Sequence, residues 1–326
     1  MEAAIIVTYR CNAKCHMCNI WKHPTDKRNE ITVEDLKKLP DNMNFVNITG
    51  GEPFLREDIE QIVKVMLKKT KRLVISTNGY YTEKIVKLAK KYPNIGVRVS
   101  IEGLPAANDE LRGLKDGFDH GIRTLIELHE FGLKDIGFGI TVSDRNAKDL
   151  LELYHLAKWL GLEFATAATH NTYYFHKFDN QFKQKKIVTG EFKKLVKELL
   201  HSKKPKEWFR AYFNYGIINY INGNKRLLPC EMGTDVFFID PYGEVYPCNG
   251  MDWSMGNIKK QSFEEIWNSK KAEEVRKKVK SCTKNCWMVG SASPAMKKAK
   301  VKVGKWIVKS RLRKEIDFSC VERRRS

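Results

Sequence analysis

The chain lacks any apolar run that could cross a bilayer: no window approaches the roughly 18 to 20 uninterrupted apolar residues of a membrane span. It also lacks a basic start followed by an apolar stretch, because Met1-Glu2-Ala3-Ala4-Ile5 leads straight into a strand-like run, and no secretion signal is read there. Together the two absences predict a cytoplasmic protein. In that reducing compartment its eight cysteines are expected to be metal ligands rather than disulfides. Acid is scarce as well: 39 Asp and Glu face 59 Lys and Arg, a formal charge of +20. What is present suffices for a folded protein, with 42% apolar and 11% aromatic residues among 326 and a mean hydropathy of −0.48. A chain of this length buries one large core or two smaller ones.

The charge is uneven. From Ser291 to Ser326 there are twelve Lys or Arg and three Asp or Glu, so +9 of the +20 falls in the last 36 residues. Such a tail suits nucleic acid or an anionic membrane surface, which would make the protein peripheral to a membrane, and equally suits plain solvation.

Three thiols, Cys11, Cys15 and Cys18, follow the apolar run Ala3-Ala4-Ile5-Ile6-Val7 with spacings of three and two residues. Three thiolates are one too few to enclose a 4Fe-4S cluster, so one iron would be left open to another ligand. A zinc site using His16 as a fourth donor is the alternative, though a crowded one. The loop resembles the cluster motif of the radical S-adenosylmethionine (radical SAM) superfamily, in which the amino and carboxylate groups of SAM complete the open iron. It departs from the family at Met17, where an aromatic residue is usual.

Strand-like and helix-like segments alternate through the first two thirds of the chain, the pattern of β/α units on a parallel sheet. Strands are expected at 3–7, 45–49, 73–76, 97–100, 136–142 and 162–166. Helices are expected from Thr32, where Thr32 caps, and over 59–67, 83–91, 118–131 and 147–160. Six units match the partial (β/α)6, TIM-like barrel of the family the chain resembles. The expected architecture is α/β: a barrel core with linker helices over 1–222, a small hairpin-and-helix domain over 223–290 and a basic tail over 291–326.

In β/α barrels function gathers where strands end. Strand two ends in Gly50-Gly51-Glu52-Pro53, whose glycines permit close backbone approach to a ligand and whose Glu52 could hold an ammonium. It is similar to the family motif that grips the SAM amino group. Ser76 and Asn78 end strand three and Ser100 ends strand four; these resemble family positions lining the SAM pocket, and Arg112 resembles an arginine near the SAM carboxylate. Thr141 and Asn146 flank the end of strand five, where Asn146 could instead cap the next helix. His170, Tyr173, Tyr174 and His176 cluster beyond strand six, either at a substrate entrance or as packing under the C-terminal domain.

Beyond helical stretches at 191–206 and 208–221 come Cys230, Cys248, Cys282 and Cys286. The turn Asp240-Pro241-Tyr242-Gly243 predicts a hairpin that brings Cys230 and Cys248 together. Cys-x12-Gly-x4-Cys followed by Cys-x3-Cys is similar to the SPASM/twitch extension of radical SAM enzymes. Four cysteines suit the one-cluster twitch form better than the full form with about seven, and a structural zinc site of the same four thiolates is the alternative. Cys320 reads as a free thiol.

The resemblance implies a radical SAM enzyme with two 4Fe-4S clusters, one binding SAM and one auxiliary, served by an electron donor such as flavodoxin or ferredoxin. SAM would be cleaved reductively to a 5′-deoxyadenosyl radical that takes a hydrogen from substrate, and the auxiliary cluster would accept an electron, so that the net reaction is an oxidation. The expected substrate is a small, sugar-like or lipid-linked molecule. Peptide maturation is the alternative. A reading of another class, a non-catalytic metalloprotein binding nucleic acid through its tail, leaves the Gly-Gly-Glu-Pro segment without a task.

Overall fold

The computed structural model describes residues 1–313 and 315–322; the remainder of the basic segment lies outside the described residues. Six parallel strands come first: β1 (Glu2–Ile6), β2 (Phe45–Thr49), β3 (Leu73–Thr77), β4 (Ile95–Ser100), β5 (Ile136–Val142) and β6 (Glu163–Ala168). The helices between them are α1 (Val33–Lys37), α2 (Ile59–Lys69), α3 (Thr82–Lys91), α4 (Pro105–Arg112), α5 (Gly117–Glu130) and α6 (Leu150–Trp159). Each strand pairs with its sequence neighbour, which is the partial (β/α)6 barrel. Local chemistry explains the starts and faces. Thr32 and Asp35 form a reciprocal capping box at α1, and α2 buries Ile59, Ile62, Val63 and Met66 at helical spacing.

Two long helices, α7 (Lys185–His201) and α8 (Pro205–Ile221), then lead to β7 (Val236–Ile239), β8 (Glu244–Tyr246) and β9 (Gly256–Asn257). β7 lies parallel to β1, with Ile5 opposite Ile239, and β7 and β8 form the expected antiparallel hairpin. The C-terminal module therefore extends the barrel sheet to nine strands in the order β6-β5-β4-β3-β2-β1-β7-β8-β9. One continuous apolar core runs from Ala3 to Val321.

After α9 (Phe263–Trp267) and α10 (Lys270–Lys280) come α11 (Val289–Lys298), α12 (Lys300–Leu312) and α13 (Ser319–Glu322). The described residues beyond 291, expected as a basic tail, thus form helices. Val303 and Ile307 are buried, Trp306 meets Tyr212 edge-on at 5.2 Å, and Asn224 donates to the Val321 carbonyl at 2.8 Å. Four lysines and one arginine among the thirteen residues of α12 hid this apolar spacing. Among the described residues no helix is long and apolar enough to cross a membrane.

Candidate metal and cofactor site

The loop after β1 carries Cys11, Cys15 and Cys18, and the chain clamps it from three sides. From the α4 side, the Lys14 amide donates to the Arg112 carbonyl and the His16 amide to the Leu111 carbonyl, both at 2.8 Å. Gly113 ends α4 in the left-handed region, φ +53°, where a Cβ would stand 2.8 Å from the Lys14 carbonyl oxygen. From the β1 side, buried Glu30 takes an ion pair from Arg10, beside Cys11, at 2.9 Å and one from Arg56 at 3.1 Å. Thr25 and Thr8 donate hydroxyls to the same carboxylate. Burial pushes the Glu30 carboxyl up, but the Arg10, Thr25 and Thr8 hydrogen bonds with the Arg10 charge outweigh it and hold it below the usual range. From the β3 side, the Asn78 amide group donates to Asn12 at 2.7 Å.

Gly50 and Gly51 permit close approach, but to the chain's own cluster loop. A Cβ on Gly51 would lie 2.3 Å from the Arg10 carbonyl oxygen, and one on Gly50 2.6 Å from that of Thr8. Glu52 is fully buried and serves the backbone: it accepts from the Phe54 amide at 3.0 Å, the Thr77 hydroxyl at 2.8 Å and the Asn78 amide at 2.7 Å. Its carboxylate is thus not left open, and the ligand-facing possibilities of this segment rest on its backbone. Pro53 starts a short 3-10 turn. Ser76 donates to Asn47 at 2.9 Å, and the Ser100 side chain is half-buried. Asn146 stands at the N-cap of the next short 3-10 turn, but its side chain makes no capping bond; it donates to the Glu102 carbonyl at 2.6 Å and the Thr141 carbonyl at 3.1 Å, tying the ends of β4 and β5.

Arg112 is the cation beside the thiols. It is 7% exposed, donates to buried Glu102 at 3.3 Å, and its Nε has no partner among the described residues. Burial pushes the Cys11 and Cys18 thiols up to about 12 and raises Cys15 as well, while the Arg112 charge pulls all three back. The Ala13 amide points at Cys11 Sγ at 3.4 Å and the Ile20 amide at Cys18 Sγ at 3.5 Å.

At the far end of the sheet, Cys248 lies near Cys230 and Cys286, and Cys286 near Cys282, so all four C-terminal cysteines share one neighbourhood. Arg226 reaches the Cys286 carbonyl and stacks 5.3 Å from the Trp287 ring centroid. His170 connects this module to β6. Its Nδ1 donates to the Ala168 carbonyl at 2.6 Å, and its Nε2 accepts the Trp287 amide at 3.2 Å. Burial lowers its pKa to about 4, so the ring is neutral. Tyr174 donates to the Gly50 carbonyl at 2.9 Å and its amide to the Asn249 carbonyl at 3.1 Å, bridging the two cysteine groups. Tyr173 lies beside Tyr246, and His176 is tilted by 33° against His23 with ring centroids 4.5 Å apart.

The sequence model of the radical SAM superfamily matches residues 5–157, and that of the SPASM iron-sulfur cluster-binding domain matches residues 230–287. Residues 5–157 are a radical SAM domain and residues 230–287 a SPASM domain. Among this radical SAM protein's relatives, Fe-coproporphyrin III synthase of Methanosarcina barkeri is 33% identical over 158 residues, 46% of this chain and 39% of that protein. The subtilosin biosynthesis protein AlbA of Bacillus subtilis is 27% identical over 292 residues, 82% of this chain and 60% of AlbA. The chain thus spans less than two thirds of the length of either. The solved structure of anSMEcpe with AdoMet and a peptide superposes with TM-score 0.65 at 16% identity over 94% of this chain and 99% of that one, which shows a shared fold.

Radical SAM and SPASM domains imply a SAM-binding 4Fe-4S cluster, SAM and an auxiliary 4Fe-4S cluster, and the residues present fit them. Among the described residues no three Cys, His, Asp or Glu are grouped closely enough to hold a single metal ion. Three thiols on one loop, with amides aimed at sulfur and a cation with an unpartnered N–H beside them, suit an anionic cluster and a carboxylate. Sequence reasoning missed Glu30, Arg10, Arg56 and Asn12. Their partners lie between 20 and 66 residues away, so no local pattern marks them.

Proposed function

We propose that this radical SAM protein performs a net oxidation of an anionic small or lipid-linked molecule. The observation that carries the reading is a cavity of about 610 Å³ that opens beside Cys15 at the ends of β5 and β6. Lys14, Lys22, Lys177, Lys183 and Arg145 line it, against Asp144 and Asp179. The two acids are already engaged: Asp144 accepts the Lys183 and Gln184 amides at 2.7 and 3.2 Å, and Asp179 pairs with Lys177 at 3.0 Å. Lys14, Lys22 and Lys183 make no ion pair among the described residues. Lys14 and Lys22 stand 5.9 and 5.2 Å from the centroid of Trp21, which offers an apolar wall between cations.

In this reading Cys11, Cys15 and Cys18 hold the first cluster, the Gly50–Pro53 backbone with Ser76, Asn78 and Ser100 orients SAM, and Arg112 takes its carboxylate. Cys230, Cys248, Cys282 and Cys286 hold the auxiliary cluster. When bound, these groups supply hydrogen-atom abstraction and a one-electron acceptor. The lysines orient the substrate's acidic groups, and buried Tyr9, Tyr174 and Tyr246, packed with Cys18, keep water from that thiol. A flavodoxin or ferredoxin supplies the reducing electron.

The kinship with AlbA favours a second reading, peptide maturation. One experiment separates them: anaerobic 5′-deoxyadenosine formation by the reconstituted protein, offered carboxylated or phosphorylated small molecules, neutral sugars and short peptides. Acceleration by anionic small molecules, with a KM raised at least about tenfold in Lys14→Ala/Lys22→Ala, supports the proposal. Acceleration by peptides or neutral sugars alone contradicts it.

A further inference from the structure

Helix α12 (Lys300–Leu312) is packed on one side and, among the described residues, unpartnered on the other. Val303, Ile307 and Ser310 are buried, and Trp306 lies against Tyr212 and Tyr215 of α8. At about 100° per residue, the opposite side carries Val301, Val308 and Leu312 in one narrow line. These three are 72%, 57% and 82% exposed. The same angular count puts Lys300 and Arg311 on one flank of the line and Lys302, Lys305 and Lys309 on the other, with Lys305 next to it.

The helix contains no acidic residue. Lys300, Lys305 and Lys309 are exposed and make no ion pair among the described residues. Arg311 stacks 4.0 Å from the centroid of Trp208 and donates to the Ser202 carbonyl at 3.1 Å, which sets the end of α12 beside the basic turn Lys203-Lys204.

A purely solvated face has no use for three aligned aliphatic side chains, and a phosphate-tracking face needs only the cations. An apolar line flanked on both sides by lysines is what a helix lying in a lipid headgroup layer requires: aliphatic groups reach the acyl boundary while the ammonium groups meet lipid phosphates. We propose that α12 docks this protein on an anionic lipid surface, with Val301, Val308 and Leu312 entering the bilayer and Lys300, Lys305 and Lys309 binding the headgroups. The contact is shallow and salt-sensitive, so docking is reversible.

The test is co-sedimentation of the full, iron-loaded protein with phosphatidylglycerol–phosphatidylcholine vesicles and with phosphatidylcholine vesicles. The proposal expects sedimentation with the first and not the second. Val301→Ser/Val308→Ser/Leu312→Ser should weaken binding about tenfold without moving Tm, because the replaced groups are solvent-exposed. Lys300→Glu/Lys305→Glu/Lys309→Glu should abolish binding and serves if the first variant melts early. Absence of binding to the anionic vesicles overturns the proposal. So does equal binding by the serine variant, which would make the face a general polyanion site such as one for RNA. A parent that is dimeric and becomes monomeric in the serine variant, with no vesicle binding, also overturns it by assigning the face to a second copy.

Discussion

One buried carboxylate, Glu30, joins an arginine immediately before Cys11 to an arginine immediately after the Gly50–Leu55 turn. Glu30→Ala leaves Arg10 and buried Arg56 without their shared anion, so a loss of about 3–5 kcal/mol is expected in denaturant melts. Reconstituted iron should fall with it, because the cysteine loop loses its anchor. The Glu30 carboxyl sits below its unfolded value; its contribution is therefore full at neutral pH and is lost as pH falls through the folded value. The Cys spacing was legible because a metal loop is local. The Glu30 network was not, because acids and arginines 20 to 26 residues apart carry no pattern. Arg112 was legible as a residue near the ligand, but its unpartnered Nε emerges only from packing. Arg112→Gln is expected to leave Glu102 unpaired and to reduce both iron loading and SAM affinity at least about tenfold, measured by iron assay and equilibrium binding.

At the scale of elements, α8 and the auxiliary loop touch through a missing side chain. A Cβ on Gly216 would stand 2.1 Å from Trp287, whose indole donates to the Phe213 carbonyl at 2.8 Å. Gly216→Ala raises helix propensity by about 1 kcal/mol, yet the clash with a buried indole costs more, so a net loss of about 1–3 kcal/mol is expected. Thermal melts check the loss, and iron released from the module next to Cys286 accompanies it. Beneath the barrel, Asp135 joins Arg72 of the β3 approach to Arg98 of β4. Burial raises its carboxyl, but hydrogen bonds and charge from the two arginines bring it down to about 2. That contribution is complete above the unfolded value near 4 and lost as pH falls towards 2, so Asp135→Asn should flatten the acid limb of the stability profile. Strands were legible to within two residues because apolar runs bounded by turns are strong signals. Helix α4 was not foreseen, since only Asn108, Leu111 and Arg112 of its eight residues are buried. Helix α12 was concealed by its lysines.

Across the whole molecule, the auxiliary module completes the sheet. β7 covers β1 along Glu2–Ile5, so a chain ending at residue 222 would expose an apolar edge strand. Such a truncation is expected to aggregate, as size-exclusion chromatography would show, whereas two independent domains would leave it monomeric. The strand order itself was not legible, because β1 and β7 lie 230 residues apart and neither carries a mark of the other.

Two separate 4Fe-4S clusters require about eight irons per chain, a number that anaerobic iron analysis reads. The parent chain and a Cys11→Ala/Cys15→Ala/Cys18→Ala variant are reconstituted side by side. About eight irons per parent chain and about four in the variant are the predicted result, and they support an auxiliary cluster able to accept an electron. A variant that holds almost no iron contradicts a second cluster: the C-terminal thiols then carry none, and the reaction proceeds without that acceptor.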